Sequence, residues 1–232
     1  MSFNRIGIIG AMTEEIELLH EHVKLAAKTV KAGITYYEGT LHGLDVIYCK
    51  SGVGKVNAAV CTQILLDYGA DCVIFTGVAG AVDPALNIGD IVISTSCAQH
   101  DMDCTALGYA RGSIPYHPTS EFQADERLVE LASSAGERLF PGHHLKGKVL
   151  SGDQFIADRD LVKQLHGDMQ GTCTEMEGAS VAQVCVMNDI PFVIIRSMSD
   201  KADGSAHVNF GEFTILASKN SFLMVDDIIR NL

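Results

Sequence analysis

Lysine and arginine are sparse in this sequence, and they form no cluster. The 17 basic residues are outnumbered by 29 acidic ones, which gives a formal net charge of −12 at pH 7. Surfaces that bind nucleic acid carry basic patches, so this composition argues against a nucleic-acid partner. Long apolar runs are also missing, whereas a membrane-spanning helix needs about 20 mostly apolar residues. We therefore expect neither a nucleic-acid nor a membrane partner.

No C-x-x-C pair occurs among the seven cysteines, and most of them fall in apolar stretches. This distribution is typical of reduced core cysteines in an intracellular protein, with a catalytic cysteine as the alternative. The first five residues precede a predicted strand rather than the apolar core of a signal peptide. The sequence thus predicts a soluble cytoplasmic protein.

Hydrophobic residues make up 47% of the 232, which is enough for a sizeable core. Apolar runs such as 6–10 and 192–196 predict buried strands, and residues 181–187 predict a buried helix that ends before Pro191. Strands and helices alternate, with no repeat, low-complexity segment or linker. The pattern predicts one α/β domain, residues 1–232, with three α/β/α layers around a mixed, mostly parallel twisted sheet.

Caps and turn residues set the boundaries of the other predicted elements. Thr13 and Asp158 are the predicted N-caps of two helices, and the small residues at 77–81 predict a turn after a strand. The remaining predicted strands are 36–40, 46–49, 72–76, 90–96 and 147–151, and the remaining predicted helices are 55–67, 123–139 and 210–229.

Two glutamates, Glu175 and Glu177, flank Met176 just before the apolar helix. Glu177 falls at the helix start, where unpaired N–H groups and the helix dipole stabilise a carboxylate, so we expect it to be ionised. An ordinary helix-start acid is the simplest interpretation. Acids placed against a core usually have a functional role, however, and Glu15 also stands beside the apolar face of its helix.

Four predicted strands are followed by acidic or small side chains, namely Glu15, the 77–81 turn, Glu177 and Asp200. In an open α/β sheet, ligands bind at the carboxyl ends of the strands, where these residues converge. One protonated carboxyl can donate to a leaving group while an ionised one activates water, a division of labour that glycoside cleavage uses. Side chains that can stack or pack against a flat ring are Phe155, Met176 and Phe210.

Two other kinds of site have weaker support. The glycines at 51–55 resemble a phosphate loop but lack its full spacing, and the dinucleotide fingerprint G-x-G-x-x-G is absent after the first strand. His100, Asp101 and Asp103 have no matching second cluster of metal ligands. We therefore expect no metal and no cofactor.

Five motifs occur in order along the chain: GAMTEE at 10–15, KSGVGK at 50–55, SGDQFI at 151–156, EME at 175–177 and RSMSD at 196–200. Over nearly the whole chain they resemble the 5′-methylthioadenosine/S-adenosylhomocysteine nucleosidases of the purine nucleoside phosphorylase superfamily. The resemblance implies a nucleoside phosphorylase-like fold. It also implies cleavage of the adenine–ribose bond of thioether nucleosides by water, without a metal, in methionine salvage and in removal of S-adenosylmethionine by-products.

The resemblance further implies roles for individual residues. Glu15 positions the attacking water, Asp200 protonates adenine N7 with support from Ser199, and Glu177 holds the ribose hydroxyls. Phe155 stacks on adenine. The other implied site residues are the backbone of Ile156 at the adenine edge, Arg196 at the water site, Met12, Val53 and Phe210 along the ribose and alkylthio pocket, and Val78, Gly80, Glu175 and Met176.

A homodimer is implied as well, with the 101–118 loop carrying Leu107 and Pro115 into the neighbour's thioalkyl pocket. The chain departs from the family pattern at three positions. Val78 replaces a common serine, Ala81 a common glycine, and Leu107 a phenylalanine that the partner subunit often supplies.

The alternatives are a phosphorylase of the same superfamily, a futalosine-type nucleosidase and a non-catalytic purine-nucleoside-binding module. A phosphate co-substrate needs cationic or N–H-rich recognition, and the turns at 10–15 and 77–81 contain no arginine or lysine. This absence favours hydrolysis. The sequence does not rank methylthioadenosine, S-adenosylhomocysteine, 5′-deoxyadenosine and 6-amino-6-deoxyfutalosine as substrates.

Overall fold

The computed structural model describes residues 3–202 and 206–232, with the side chains of 206–210 and 212 outside the description. The strands are β1 (Arg5–Gly10), β2 (Lys24–Lys31), β3 (Ile34–Leu41), β4 (Leu44–Lys50), β5 (Cys72–Ala81), β6 (Ile91–Gln99), β7 (Glu121–Gln123), β8 (His144–Ser151), β9 (Gly171–Glu175) and β10 (Phe192–Asp200). The helices are α1 (Thr13–His22), α2 (Lys55–Asp67), α3 (Glu126–Leu139), α4 (Arg159–Gly167), α5 (Gly178–Met187) and α6 (Ala206–Arg230), with a 3₁₀ turn at Thr105–Leu107.

These strands form one mixed sheet in the order β10-β6-β8-β9-β5-β1-β4-β3-β2, in which β10 also pairs with β5, and β7 with β6. Parallel pairs join β1 to β4 and β5, β5 to β10, and β8 to β6 and β9. The other pairs are antiparallel. No helix in the described part of the chain is long and apolar enough to cross a membrane.

Helices cover both faces of the sheet, so the predicted three-layer α/β/α fold is confirmed. Apolar side chains of α2 and α5 pack on one face, with Cys61 and Val181 fully buried. Those of α1, α3 and α6 pack on the other, where Leu19, Leu128 and Val225 are buried to 1% exposure or less. The strongly apolar α5 sequence is explained by this position, because a helix that is hydrophobic all round must be buried.

The helix predicted at 123–139 begins only at Glu126 in the structure, so its predicted start is too early. Residues 121–123 form β7, where Phe122 pairs with Cys97 of β6 and is fully buried. Asp125 then caps α3 by accepting a hydrogen bond from the Leu128 N–H at 3.0 Å. The predicted cap Asp158 is confirmed, since it accepts from two N–H groups at the start of α4.

Three further predictions need correction. Thr13 is not the cap of α1, because the N-cap position belongs to Met12, whose N–H donates to the Glu15 carboxylate at 2.9 Å. The predicted turn at 77–81 is instead the second half of β5, and all of it is buried. The strand β2 was not predicted, because all eight of its residues are exposed and no alternating apolar pattern marks it.

Candidate active site

A cavity of about 320 Å³ opens where β1, β5, β9 and β10 end. The predicted site residues in its wall are Met12, Glu15, Val53, Val78, Gly80, Phe155, Ile156, Glu175, Met176, Glu177, Ser199 and Asp200. Sequence reasoning missed Ala11, Ala79, Gln154 and Thr174, which also line the cavity. Each of these four directly precedes or follows a predicted site residue, and that adjacency was the available signal.

The Glu15 carboxylate is fixed by three backbone N–H groups. Its Oε2 accepts from Ala11 and from Met12, the latter at 2.9 Å, and its Oε1 accepts from Val78 at 3.1 Å. Gly77 makes this approach possible, because a Cβ there would lie 2.5 Å from Oε1. The departure at position 78 therefore leaves this contact unchanged, since the backbone rather than the side chain supplies the donor.

Asp200 ends β10 directly opposite Gly80 of β5. The Ser199 hydroxyl donates to Asp200 Oδ2 at 2.9 Å, and the Ala202 N–H donates to Oδ1 at 2.6 Å. A Cβ at position 80 would lie 2.8 Å from Oδ1, so the small residue gives the carboxyl group its space. The predicted site residues Gly80, Ser199 and Asp200 thus lie next to one another in the structure.

Arg196 is fully buried behind the cavity and does not line it. Its Nη2 donates to Glu175 Oε2 at 2.6 Å, and its guanidinium lies 3.9 Å from the centre of the Phe75 ring. Burial would lower the pKa of Arg196, but Glu175 and Glu15 raise it above the ordinary value. Arg196 is therefore a permanent buried cation. Burial of the Glu15 carboxylate raises its pKa above the ordinary value, and the positive charge of Arg196 only partly offsets this rise.

Glu175, and not Glu177, binds the free N–H groups at the start of α5. Its carboxylate accepts from the Gly178 N–H at 2.8 Å, from the Glu177 N–H at 3.2 Å and from the Ser151 hydroxyl. The Glu177 side chain instead reaches across to the start of α2, where Oε1 accepts from the Gly54 N–H at 2.7 Å.

This arrangement changes the expected charge of Glu177. Burial, followed by repulsion from Glu175, raises the pKa of Glu177 to about 8. The raised pKa opposes the expected ionisation of Glu177 in the free protein. The helix-start donors invoked for that expectation are occupied by Glu175.

Apolar side chains complete the wall. Ile156 is buried, while Phe155 and Val53 are each half exposed at the mouth of the cavity. Leu107 is 72% exposed and, like Pro115, does not line the cavity of its own chain. The side chain of Phe210 lies outside the described residues, so its predicted place in the pocket is not tested.

Within the described residues, no group of three or more His, Cys, Asp and Glu side chains could hold a metal ion. Of the weak metal candidates, Asp101 pairs with Lys55 at 2.6 Å and Asp103 accepts hydrogen bonds from Thr105. His100 is fully buried. The described lining of the cavity also contains no lysine or arginine.

Four buried carboxyl groups line the cavity, those of Glu15, Glu175, Glu177 and Asp200. Such a set around an apolar cavity can transfer protons and stabilise a developing cation. Residues 5–230 match the sequence model of the phosphorylase superfamily, which defines the class of the protein. A 5′-methylthioadenosine/S-adenosylhomocysteine nucleosidase of Anoxybacillus flavithermus is 42% identical over 231 residues, 98% of each chain. The chain belongs to that nucleosidase family.

Solved structures agree with this assignment. A nucleosidase of the same name from Neisseria meningitidis, in complex with methylthio-immucillin-A, superimposes with a TM-score of 0.94 at 40% identity, covering 99% of this chain and 100% of that one. The futalosine hydrolase of Helicobacter pylori superimposes with a TM-score of 0.93 at 31% identity, covering 99% of this chain and 98% of that one.

Proposed function

We propose that the protein hydrolyses the N-glycosidic bond of 5′-methylthioadenosine and S-adenosylhomocysteine, releasing adenine and the thioribose. The observation that carries this proposal is the placement of Glu15, Glu177 and Asp200 around one apolar cavity in a chain of this family. Such a set of acids fits an oxocarbenium-like transition state, which needs proton donation on one side and water activation on the other.

In the proposed mechanism, Glu15 accepts a proton from the water that attacks C1′. Its three backbone donors fix the carboxylate in position, as a general base requires. Asp200 protonates N7 of the leaving adenine, with Ser199 orienting the carboxyl group. The substrate hydroxyls and the positive charge at C1′ favour the ionised form of Glu177, which then binds both.

The remaining wall residues suit the rest of such a substrate. Phe155 at the cavity mouth presents an aromatic face for adenine, and the adjacent backbone of Ile156 can contact its edge. Met12, Val53 and Met176 provide apolar surface for the ribose and the alkylthio group, a role that we also assign to Phe210. We further propose one nucleosidase domain over residues 1–232.

Hydrolysis is proposed in preference to phosphorolysis because phosphate needs a cation. Arg196 is the cation nearest Glu15, but its guanidinium is paired with Glu175 and held over Phe75. Glu15 would also repel a phosphate dianion at the water position. A neutral water suits this site better.

The test is adenine release from methylthioadenosine with and without phosphate. We expect equal rates and free thioribose as the sugar product. Ribose 1-phosphate as product, or a rate that saturates with phosphate, would establish the phosphorylase alternative. Binding of the nucleoside without any adenine release would indicate a binding module.

A second candidate is a futalosine-type nucleosidase, which the likeness to the futalosine hydrolase of Helicobacter pylori supports. The same cavity would accept 6-amino-6-deoxyfutalosine, whose scissile bond is the same. Comparing kcat/KM for methylthioadenosine, S-adenosylhomocysteine, 5′-deoxyadenosine and aminofutalosine decides between the candidates. A preference of more than tenfold for aminofutalosine would favour the second.

We also propose a cytoplasmic homodimer in which the loop at 101–118 reaches the partner's cavity. Large apolar side chains are exposed on this loop and on α2, with Leu107 at 72%, Tyr116 at 97% and Val56 at 74% exposure. Their burial against a second copy would remove apolar surface from water. Sedimentation of a monomer that keeps full activity at the same concentration would contradict this proposal.

A further inference from the structure

Three loops meet beside the cavity in a ring of polar contacts. Lys55 begins α2, Asp101 follows β6, and Asp153 follows β8. The Lys55 ammonium donates to Asp101 Oδ1 at 2.6 Å, and the Asp153 N–H donates to Asp101 Oδ2 at 2.9 Å. The Lys55 N–H closes the ring by donating to Asp153 Oδ1 at 2.8 Å. We call these three residues the loop clasp.

The charged pair of the loop clasp is largely shielded from water. The Lys55 and Asp101 side chains are 17% and 15% exposed, and Lys55 Nζ also donates to Gln99 Oε1 at 2.9 Å. Burial raises the pKa of Asp101, but the bonds from Lys55 and Asp153 outweigh it and hold the pKa below the ordinary value. The lowered pKa favours the charged form of Asp101, and the low exposure of the pair protects it from the screening that weakens exposed pairs.

Two glycines allow the loops to approach this closely. Gly54 has a φ of +96°, and a Cβ there would lie 3.1 Å from Asp153 Oδ1. A Cβ on Gly152 would lie 2.4 Å from the ring of His100. The contact between the loops is therefore tight on both sides of the loop clasp, and a shift of one loop must move the other.

Two of the three loops continue directly into the active site. Gly54 precedes Lys55, and its N–H donates to Glu177 Oε1 at 2.7 Å. On the opposite side, Gln154 and Phe155 follow Asp153 and line the cavity. No residue of the loop clasp lines the cavity itself.

We propose that the loop clasp positions the active site by fixing the Gly54 N–H against Glu177 and fixing Phe155 at the cavity mouth. Lys55 and Asp101 are positioning residues, because they act through these groups and touch no substrate. This inference rests on the proposed nucleosidase function and extends it to residues outside the cavity. A displacement of about 1 Å in such a site reduces turnover about a hundredfold.

The first test compares Asp101→Asn and Lys55→Met with Lys148→Met. Lys148 is a matched control, since it is 16% exposed, pairs with Glu121 at 2.7 Å and does not line the cavity. We expect kcat/KM for methylthioadenosine to fall by about tenfold to a hundredfold in the two loop-clasp variants and by less than about twofold in the control. The double loop-clasp variant should fall no further than the worse single variant, because both act through one contact.

The proposal would be overturned if the kcat/KM of the loop-clasp variants stayed within about twofold of the native value. It would also be overturned if Lys148→Met lost as much kcat/KM as they do. Losses in the two single variants that multiply in the double variant would overturn it as well, because the two residues would then act independently.

The second test does not depend on turnover. Hydrogen exchange measured by mass spectrometry should quicken in peptides covering 52–57 and 152–157 in Asp101→Asn, and stay unchanged there in Lys148→Met. If the native protein released no adenine, the proposed function would fail, while exchange in these two peptides would still decide the role of the loop clasp. Unchanged exchange in both peptides would overturn it.

Discussion

Glu175 and Glu177 are two residues apart, yet their carboxylates have opposite surroundings. Glu175 accepts hydrogen bonds from a buried arginine, a serine hydroxyl and the N–H groups at the start of α5. Among the described residues, the Glu177 carboxylate accepts one hydrogen bond, from the Gly54 N–H. Both side chains line the same cavity.

This difference distinguishes Glu175, whose carboxylate is bound by the protein itself, from Glu177, whose carboxylate is available to a ligand. A carboxylate has about four lone-pair sites, and those of Glu175 are largely occupied by the protein. The carboxylate of Glu177 keeps acceptor sites that substrate hydroxyls can occupy. Replacing an acid that is available to a ligand, such as Glu177 or Asp200, should therefore reduce activity, whereas disturbing the Glu175–Arg196 pair should reduce stability.

Asp200→Asn tests the activity side of this comparison and should have the largest effect. The amide keeps the shape and an acceptor for the Ala202 N–H but cannot donate the acidic proton. We expect kcat to fall by about 10²–10⁴-fold, as for other general acids, with little change in unfolding free energy. Steady-state kinetics and urea unfolding measure the two quantities. Near-native turnover would remove Asp200 from the mechanism.

Arg196→Met tests the stability side. The substitution leaves the buried Glu175 charge without its cation, which typically costs about 3–5 kcal/mol of unfolding free energy. Adding Glu175→Gln removes that charge, so the double variant should recover much of the loss. Urea unfolding at pH 7 checks both. If the double variant were less stable by the sum of the single effects, the pair would not be coupled.

Glu177→Gln should have a smaller effect, confined to substrate binding and turnover. Hydrogen bonds to a charged group contribute about 1.5–3 kcal/mol, which predicts a fall in kcat/KM of about tenfold to a hundredfold. An analogue without the 2′ and 3′ hydroxyls should lose little more in this variant than in the native enzyme. A full additional loss would show that Glu177 does not contact those hydroxyls.

The pH dependence of stability gives the smallest signal. The pKa of Glu177 is raised from 4.5 to about 8, so between these values the folded protein keeps a proton that the unfolded chain has released. The stabilising contribution is complete below the unfolded pKa and is lost as pH rises through the folded pKa. From pH 6 to pH 7 the native protein should lose about 1.4 kcal/mol more than Glu177→Gln.

Matched urea titrations of the two proteins measure this difference, since the two proteins differ only at position 177. Parallel curves would mean that the Glu177 carboxyl is not shifted in the folded state.

The sequence predicted the layers and most of the cavity because both depend on local patterns. The buried strands β5 and β10 begin with the apolar runs 72–75 and 192–195. Site residues at the carboxyl ends of such strands meet where the strands are parallel neighbours, as Gly80 and Asp200 do. The exposed strand β2 has no such signal, since backbone pairing with β3 alone defines it. The segment 77–81 could not be identified as strand, because its glycines are required by carboxyl groups distant in sequence, Gly77 by that of Glu15 and Gly80 by that of Asp200.

The charge of Glu177 could not be predicted for a related reason. Its pKa is raised by burial and by the neighbouring Glu175. Glu175 rather than Glu177 takes the helix-start donors, and it is held there by Arg196 and Ser151 from other strands. The local sequence shows that N–H donors are available at the start of α5, but it does not show which of the two glutamates accepts from them.

The anchoring of Glu15 by a main-chain amide of β5 affects how freely the sequence can vary at that point. Any amino acid with an N–H at position 78 preserves the anchor, so mutation there can alter the polarity of the cavity wall without releasing the carboxylate. Proline has no N–H and is the substitution that would remove the anchor. Selection at position 78 therefore acts on the wall that a ligand meets, and drift at this position can change ligand preference while the reaction is retained.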